Sequence, residues 1–318
     1  MRCILRCCLC LVTLAAGRVL RLGRHVQGPG TETLQPSMTV MVMSARKTPK
    51  VERNVLRDMW HHIDSGHGHT CMRFAVCSLE DVYEKELEAE QTEFRDLVFL
   101  RCPEGYSTGA LTQKLIAAMR HYSSSGDSCM NRDLFMKVDD DTFVSSRHFA
   151  HAVNIAWQQH GKSLYAGVLC GRTAASGDPL SPRYEPAFIW PESNLPAAMC
   201  GGPGYILGKD VVKQVLAAGL ADKYVLFNED RAVSVWIGEL QKRGADVAWV
   251  SLPGTNGYQW DMRYKAGCWE RFPFALYHHL DSVTIACLAA LDRQNAYAKQ
   301  VDPCFRTTYA PDYQRSWH

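Results

Sequence analysis

Three consecutive carboxylates, Asp139, Asp140 and Asp141, end the run Leu134-Phe135-Met136-Lys137-Val138 and are followed by Thr142-Phe143-Val144. Adjacent carboxylates repel one another unless a positive charge sits among them. Hard divalent cations take oxygen ligands, and Mg²⁺ commonly combines one or two carboxylates with substrate phosphates. The stretch therefore has two readings: a metal–diphosphate site at the end of a buried strand, or a solvated acidic turn. A second acidic pair, Glu229-Asp230, follows Asn228 where a helix is expected to start. Acids there suit the helix dipole, and two side by side raise the pKa of one of them. The run Cys200-Gly201-Gly202-Pro203-Gly204 either lets backbone approach a ligand closely or makes a tight turn between strands. His61, His62, His67 and His69, interrupted by Gly66 and Gly68, read as a flexible loop that lacks the fixed scaffold of a metal site.

The elements that must position these residues alternate along the chain. Met38–Met43, Arg73–Cys77, Asp96–Leu100 and Leu134–Val138 read as strands, and Leu164–Val168 and Asp246–Val250 as later ones. Between them lie helical patterns at Val51–His62, Val82–Phe94, Tyr106–His121 and Arg147–Gln159, then Asp210–Ala218 and Glu229–Arg243. Arg53, Arg57 and Trp60 share one face of the first helix. Such alternation predicts an α/β fold, a mostly parallel sheet with helices on both faces. Ligands of these sheets bind beyond the carboxyl ends of the strands, where the three acids are expected. Gly171–Ala198 is a long proline-rich irregular segment, of the kind that usually carries function.

The 318 residues, 47% hydrophobic and 21% charged with a net charge of +2, have an ordinary globular composition and offer no electrostatic case for nucleic acid. Cys3, Cys7, Cys8 and Cys10 lie in an N-terminal leader, and nine further cysteines are scattered from Cys71 to Cys304 without a C-x-x-C pair. Scattered cysteines fit either disulfides in an oxidising compartment or buried thiols. Basic Arg2 and Arg6, a short apolar run to Ala16 and then Arg18, Arg21 and Arg24 make a secretory signal or an uncleaved signal anchor. The expected organisation is leader and stem over 1–37, a folded domain over 38–290 and a tail over 291–318.

In chain order, Arg53-x-x-x-Arg57-x-x-Trp60, Lys137-x-Asp139-Asp140-Asp141-x-Phe143-Val144, Gly202-x-Gly204-Tyr205, Glu229-Asp230 and a late histidine resemble the β-1,3-galactosyltransferase family, glycosyltransferase family 31. The helix containing Leu111-Thr112-x-Lys114 resembles the family as well. The resemblance implies a GT-A fold, a nucleotide-sugar-binding sheet with a smaller acceptor-binding half. It implies inverting transfer of galactose or N-acetylglucosamine from a UDP-sugar to a glycan through a β-1,3 bond, with Mn²⁺ (or Mg²⁺) as metal. It also implies a single-pass type II membrane protein facing the Golgi lumen.

Carried over residue by residue, the resemblance puts Asp141 on the metal with His278, or its neighbour His279, as second ligand. Asp139 and Asp140, Arg57, Gly202 and Gly204 fall to the nucleotide, and Asp230, paired with Glu229, to the catalytic base. Two segments depart from the family pattern. Arg231-Ala232-Val233-Ser234 stands where relatives carry valine first and glycine last, and Leu195-Pro196-Ala197-Ala198-Met199 replaces a tyrosine- and proline-rich run. Both fall on the expected acceptor side, so a non-catalytic UDP-sugar- or glycan-binding member is the alternative reading. A Mg²⁺ phosphohydrolase lacks a matching nucleophile motif.

Overall fold

The computed structural model describes residues 35–294, except 68, 79, 106, 182–183, 253–256 and 259–274, together with Cys304. The leader, Tyr106 and Cys268 lie outside the described residues. The chain opens with β1 (Met38–Met43), α1 (Lys50–His67), β2 (Thr70–Cys77), α2 (Glu84–Phe94), β3 (Leu97–Leu100), α3 (Ala110–Ser124) and β4 (Leu134–Asp139). Then come β5 (Phe143–Val144), α4 (Ser146–His160), β6 (Leu164–Gly167) and the short strands β7 (Leu169–Cys170), β8 (Thr173–Ala174), β9 (Asn194–Leu195) and β10 (Ala198–Met199). It continues through β11 (Tyr205–Gly208), α5 (Lys209–Ala217), α6 (Leu220–Lys223), α7 (Glu229–Lys242), β12 (Ala248–Ser251), β13 (Gly257–Tyr258), β14 (Leu276–His278) and α8 (Ser282–Arg293).

Seven strands form the central sheet in the order β12-β6-β11-β4-β1-β2-β3. All neighbours are parallel except β11, which runs antiparallel to β4 and β6. This is the α/β, mostly parallel sheet expected of a GT-A-type fold. Strand residues alternate between its two faces. Val40, Val42, Phe74, Met136 and Val138 join the core under α1, α4 and α8, while Met41, Met43, Phe135, Tyr205 and Leu207 join that under α3, α5 and α7. Burial on both faces is why these strands read as continuous apolar runs rather than alternating ones.

Helix α1 covers the expected Val51–His62 and continues to His67, where a loop was expected. The reason is the stripe Leu56, Met59, Trp60 and Ile63, which stays buried past both histidines. The proline-rich segment contains two-residue strands but no helix among its described residues. Among the described residues, disulfides join Cys71 to Cys129, Cys77 to Cys102, Cys170 to Cys200 and Cys287 to Cys304. The last one joins Cys304, fully buried, to α8. Among the described residues no helix is long and apolar enough to cross a membrane.

Candidate active site

Strand β4 delivers the acids. Its last residue is Asp139, and Asp140 and Asp141 turn away from the carboxyl edge of the sheet. Two residues later β5 pairs antiparallel with β14, with Val144 opposite Leu276 and Phe143 opposite Tyr277. That small sheet brings His278 back to the acids across the sequence. The Leu280 N–H donates to the Asp141 carbonyl at 3.0 Å and extends the pairing past the strand.

Asp141, His278 and His279 offer ligand atoms that all lie within 4.8 Å of one another. His278 Nδ1 is 2.9 Å from Asp141 Oδ1 and 3.1 Å from Thr142 Oγ1. His279 Nδ1 is 3.4 Å from Asp141 Oδ2. Successive residues of a strand point to opposite sides. His279 escapes that rule because its backbone is left-handed, φ +63°, uncommon for a residue other than glycine. The two imidazoles consequently lie side by side, ring centres 3.8 Å apart. Burial raises the Asp141 carboxyl, but His278 and His279 outweigh it and the net shift is downward. Asp141 Oδ1 is buried and accepts no hydrogen bond of good geometry from the described residues, although His278 Nδ1 lies 2.9 Å away. A carboxylate facing one imidazole with each of its oxygens fits a bound cation.

Gly202 makes room for this cluster. A Cβ there would lie 1.9 Å from Nε2 of His278. The Gly202 carbonyl accepts from Thr142 Oγ1 at 3.0 Å and from the Asp139 N–H at 3.4 Å. Gly204 has φ +100°, and its Cβ would meet the Lys137 carbonyl at 2.7 Å. The glycines thus let the turn into β11 close on β4 and His278, which is the tight-turn reading of the run. Asp140 is tied to the loop after β1, accepting from Thr48 Oγ1 at 2.9 Å. Burial, then the charge of Asp141, pushes its pKa up to about 6.

Lys137, the first residue of the acidic motif, connects it to Glu229, a contact that the sequence alone does not reveal. Its side chain is 0% exposed. Nζ lies 2.7 Å from Asp139 Oδ1 and 3.3 Å from Glu229 Oε2, and donates to the Gly201 carbonyl at 3.0 Å. Burial disfavours its charge, but Asp139 and Glu229 more than restore it, so its pKa is raised. Tyr205 donates its hydroxyl to Glu229 Oε1. Glu229, 3% exposed, is pushed up to about 6, chiefly by burial. Asp230 differs. Its side chain is 23% exposed, and it packs against Gly201, where an added Cβ would lie 3.4 Å from the Asp230 Cβ. Of the pair, Asp230 is the one that can reach a substrate. Burial raises its pKa, partly offset by Arg231 and Lys137.

Arg57 does not join this group, against its expected place at the nucleotide. Its guanidinium bonds to Asp96 at 2.7 and 2.8 Å, to Glu90 at 2.6 Å and to Asn54 at 2.7 Å, and lies over the Phe94 ring. Asp96 precedes β3, so these bonds hold Arg57 toward the amino edge of the parallel strands, away from the acids. Arg53 also pairs with Glu90, while its Nη1 reaches the Ser44 hydroxyl at 3.3 Å, beyond the carboxyl end of β1. The two arginines form a buried structural network.

The sequence model of the galactosyltransferase family matches residues 51–245. That range holds the acids, the glycine turn and the Glu229-Asp230 pair but stops short of His278. The chain is 25% identical over 224 residues to beta-1,3-galactosyltransferase GALT1 of Arabidopsis thaliana, covering 70% of this chain and 33% of that protein. It is 26% identical over 238 residues to hydroxyproline O-galactosyltransferase GALT6 of the same plant, covering 73% and 33%. The aligned part thus spans about a third of the length of these relatives. A solved structure of a glycosyltransferase involved in the glycosylation of the major capsid of PBCV-1 overlaps 80% of this chain and 100% of its own, at a TM-score of 0.41 and 11% identity. On the family match, over well above half of its length, this chain belongs to the galactosyltransferase family.

Proposed function

We propose that this chain is an inverting hexosyltransferase that moves galactose or N-acetylglucosamine from a UDP-sugar to a hydroxyl of a glycan, forming a β-1,3 linkage. One observation carries the reading. The adjacent glycines Gly201 and Gly202 hold the two halves of the chemistry side by side, Asp230 against Gly201 and His278 with Asp141 against Gly202. A leaving-group site and a base are thereby built onto one turn.

Asp141, His278 and His279 are the residues that would hold the divalent cation. A cation there supplies Lewis-acid neutralisation of the diphosphate leaving group. Two imidazole nitrogens with one carboxylate suit a transition-metal ion better than Mg²⁺, which favours Mn²⁺ of the expected pair. Asp139 is locked by Lys137 and Asp140 by Thr48, so both keep fixed orientations beside the nucleotide. Asp230 takes the proton of the acceptor hydroxyl on the face opposite the leaving group. Glu229 acts from behind, buried between Tyr205 and Lys137, and fixes the first turn of α7 on which Asp230 stands. The disulfides suit an oxidising compartment. With the basic, apolar leader they support a lumenal, type II Golgi placement.

The test is release of UDP by the full chain from the common UDP-sugars, with Mn²⁺ and a broad panel of glycan acceptors. Turnover of UDP-galactose or UDP-N-acetylglucosamine is expected. No release from any donor rejects the transferase reading, and calorimetric UDP binding without turnover identifies a non-catalytic binder instead.

A further inference from the structure

The irregular segment between Cys170 and Cys200 is a strap fastened to α7 at several points. The Cys170–Cys200 disulfide closes it. Glu185, buried within it, accepts from the N–H groups of Phe227 and Asn228 at 2.7 and 3.1 Å and from Asn228 Nδ2 at 3.0 Å, just ahead of α7. Arg231 Nη1 donates to the Gly171 carbonyl at 3.0 Å and to the Pro196 carbonyl, one near each end of the strap. Ser234, one helical turn further along α7, donates to the Ala197 carbonyl. The same guanidinium brings Nε to 3.8 Å from Asp230 Oδ1. On the strap's other side, Gly201 follows Cys200 directly and packs against Asp230. The residues that depart from the family pattern on α7, Arg231 and Ser234, thus bond the carbonyls of the departing segment before Gly202. The two departures form one structural unit.

We propose that Arg231 is the positioning residue for Asp230: it clamps both ends of the disulfide-closed strap to α7 and holds a fixed positive charge beside the Asp230 carboxylate. Strap, disulfide and Asp230 then move as one unit, and the wall facing the acceptor is set by residues particular to this chain. The inference rests on Asp230 being the base of the proposed transfer. Other groups also face Asp230: Glu229 from its own helix, Lys137 from β4, Tyr165 from β6 and Tyr205 from β11. Lys137 supplies its charge to Asp139 and Glu229 at much closer range, which leaves Arg231 as the cation set beside Asp230.

The test compares Arg231→Met and Arg231→Lys with wild type in the full chain. In Arg231→Met, kcat falls by about tenfold or more with the donor KM nearly unchanged, because a small misplacement of a reacting group is costly. The acid limb of its pH profile moves up by roughly one pH unit, since the carboxylate has lost a neighbouring cation. Arg231→Lys restores the acid limb while kcat recovers only in part, the planar fork to two carbonyls being lost. An acid limb that stays put in Arg231→Met, or that Arg231→Lys does not restore, overturns the proposal. If wild type shows no turnover, the transferase reading fails, and the clamp is judged by trypsin cleavage at Arg172, which is exposed next to Gly171. Cleavage is expected to be about tenfold faster in Arg231→Met, through more frequent local opening. Equal cleavage rates overturn the clamp as well.

Discussion

A methyl group at residue 202 has nowhere to go. The added Cβ of Gly202→Ala would lie 1.9 Å from Nε2 of His278 and 2.4 Å from both Cδ2 and Cε1. The backbone resists moving, because the Gly202 carbonyl accepts from both Thr142 and Asp139. The imidazole must therefore retreat by roughly 1.5 Å to reach an ordinary van der Waals separation. Metal–ligand distances tolerate only about 0.2 Å, so His278 leaves the ligand set. The Mn²⁺ affinity should fall by about 100-fold. Overpacking of this size costs about 1–3 kcal/mol, so the variant should remain folded at room temperature. Free Mn²⁺, titrated by electron paramagnetic resonance against wild type and Gly202→Ala, measures the effect. Gly177→Ala is the control, because nothing lies within 4 Å of an added Cβ there. Wild-type Mn²⁺ affinity in a folded Gly202→Ala would refute the assignment of His278 to the metal.

Other consequences concern the buried charges. Lys137→Met strands Asp139 and Glu229 without their cation, and breaking a buried ion pair costs roughly 3–5 kcal/mol; a denaturant midpoint unchanged from wild type would show that Lys137 carries no such load. Glu229 is pushed up to about 6 by burial, above the value of about 4.3 in an unfolded chain. The folded state then holds more protons than the unfolded state across that window, so stability falls by about 2 kcal/mol as pH rises through it and stays lower above it. Glu229→Gln should remove that fall, and superimposable stability curves for variant and wild type between about pH 4 and pH 6.5 would assign it to another group.

Local signals made the sheet legible. The runs Met38–Met43 and Leu134–Asp139 lie in the middle of a sheet covered on both faces, so they are mostly apolar, with Thr39, Lys137 and Asp139 as the exceptions. The position of Asp139 to Asp141 at a strand end follows from the same pattern. What stayed hidden depends on partners distant in sequence. Nothing near Lys137 announces Glu229, and nothing near Glu185 announces the start of α7. Gly202 carries a familiar signal, but its reason is a histidine that only the pairing of β5 with β14 brings into contact. Arg57 sits in a recognisable spacing, yet spacing cannot say that its guanidinium faces Asp96 and Glu90 rather than a ligand. The disulfide partners were equally unreadable, since scattered cysteines do not encode connectivity. The end of α1 lies further on than its pattern suggests, because Gly66 and Gly68 among the histidines signal a loop while Ile63 extends the buried stripe past His62.

The central claim is that Asp141 and Asp230 divide the work, one on the cation and diphosphate, the other on the acceptor. Calorimetric titration of UDP with and without Mn²⁺, paired with transfer rates, separates them in wild type, Asp141→Ala and Asp230→Asn. The account predicts Mn²⁺-dependent UDP binding in wild type and Asp230→Asn but not in Asp141→Ala, and a transfer rate in Asp230→Asn reduced by about 10²–10⁴-fold. Transfer at the wild-type rate by Asp230→Asn, or Mn²⁺-dependent UDP binding preserved in Asp141→Ala, would contradict it.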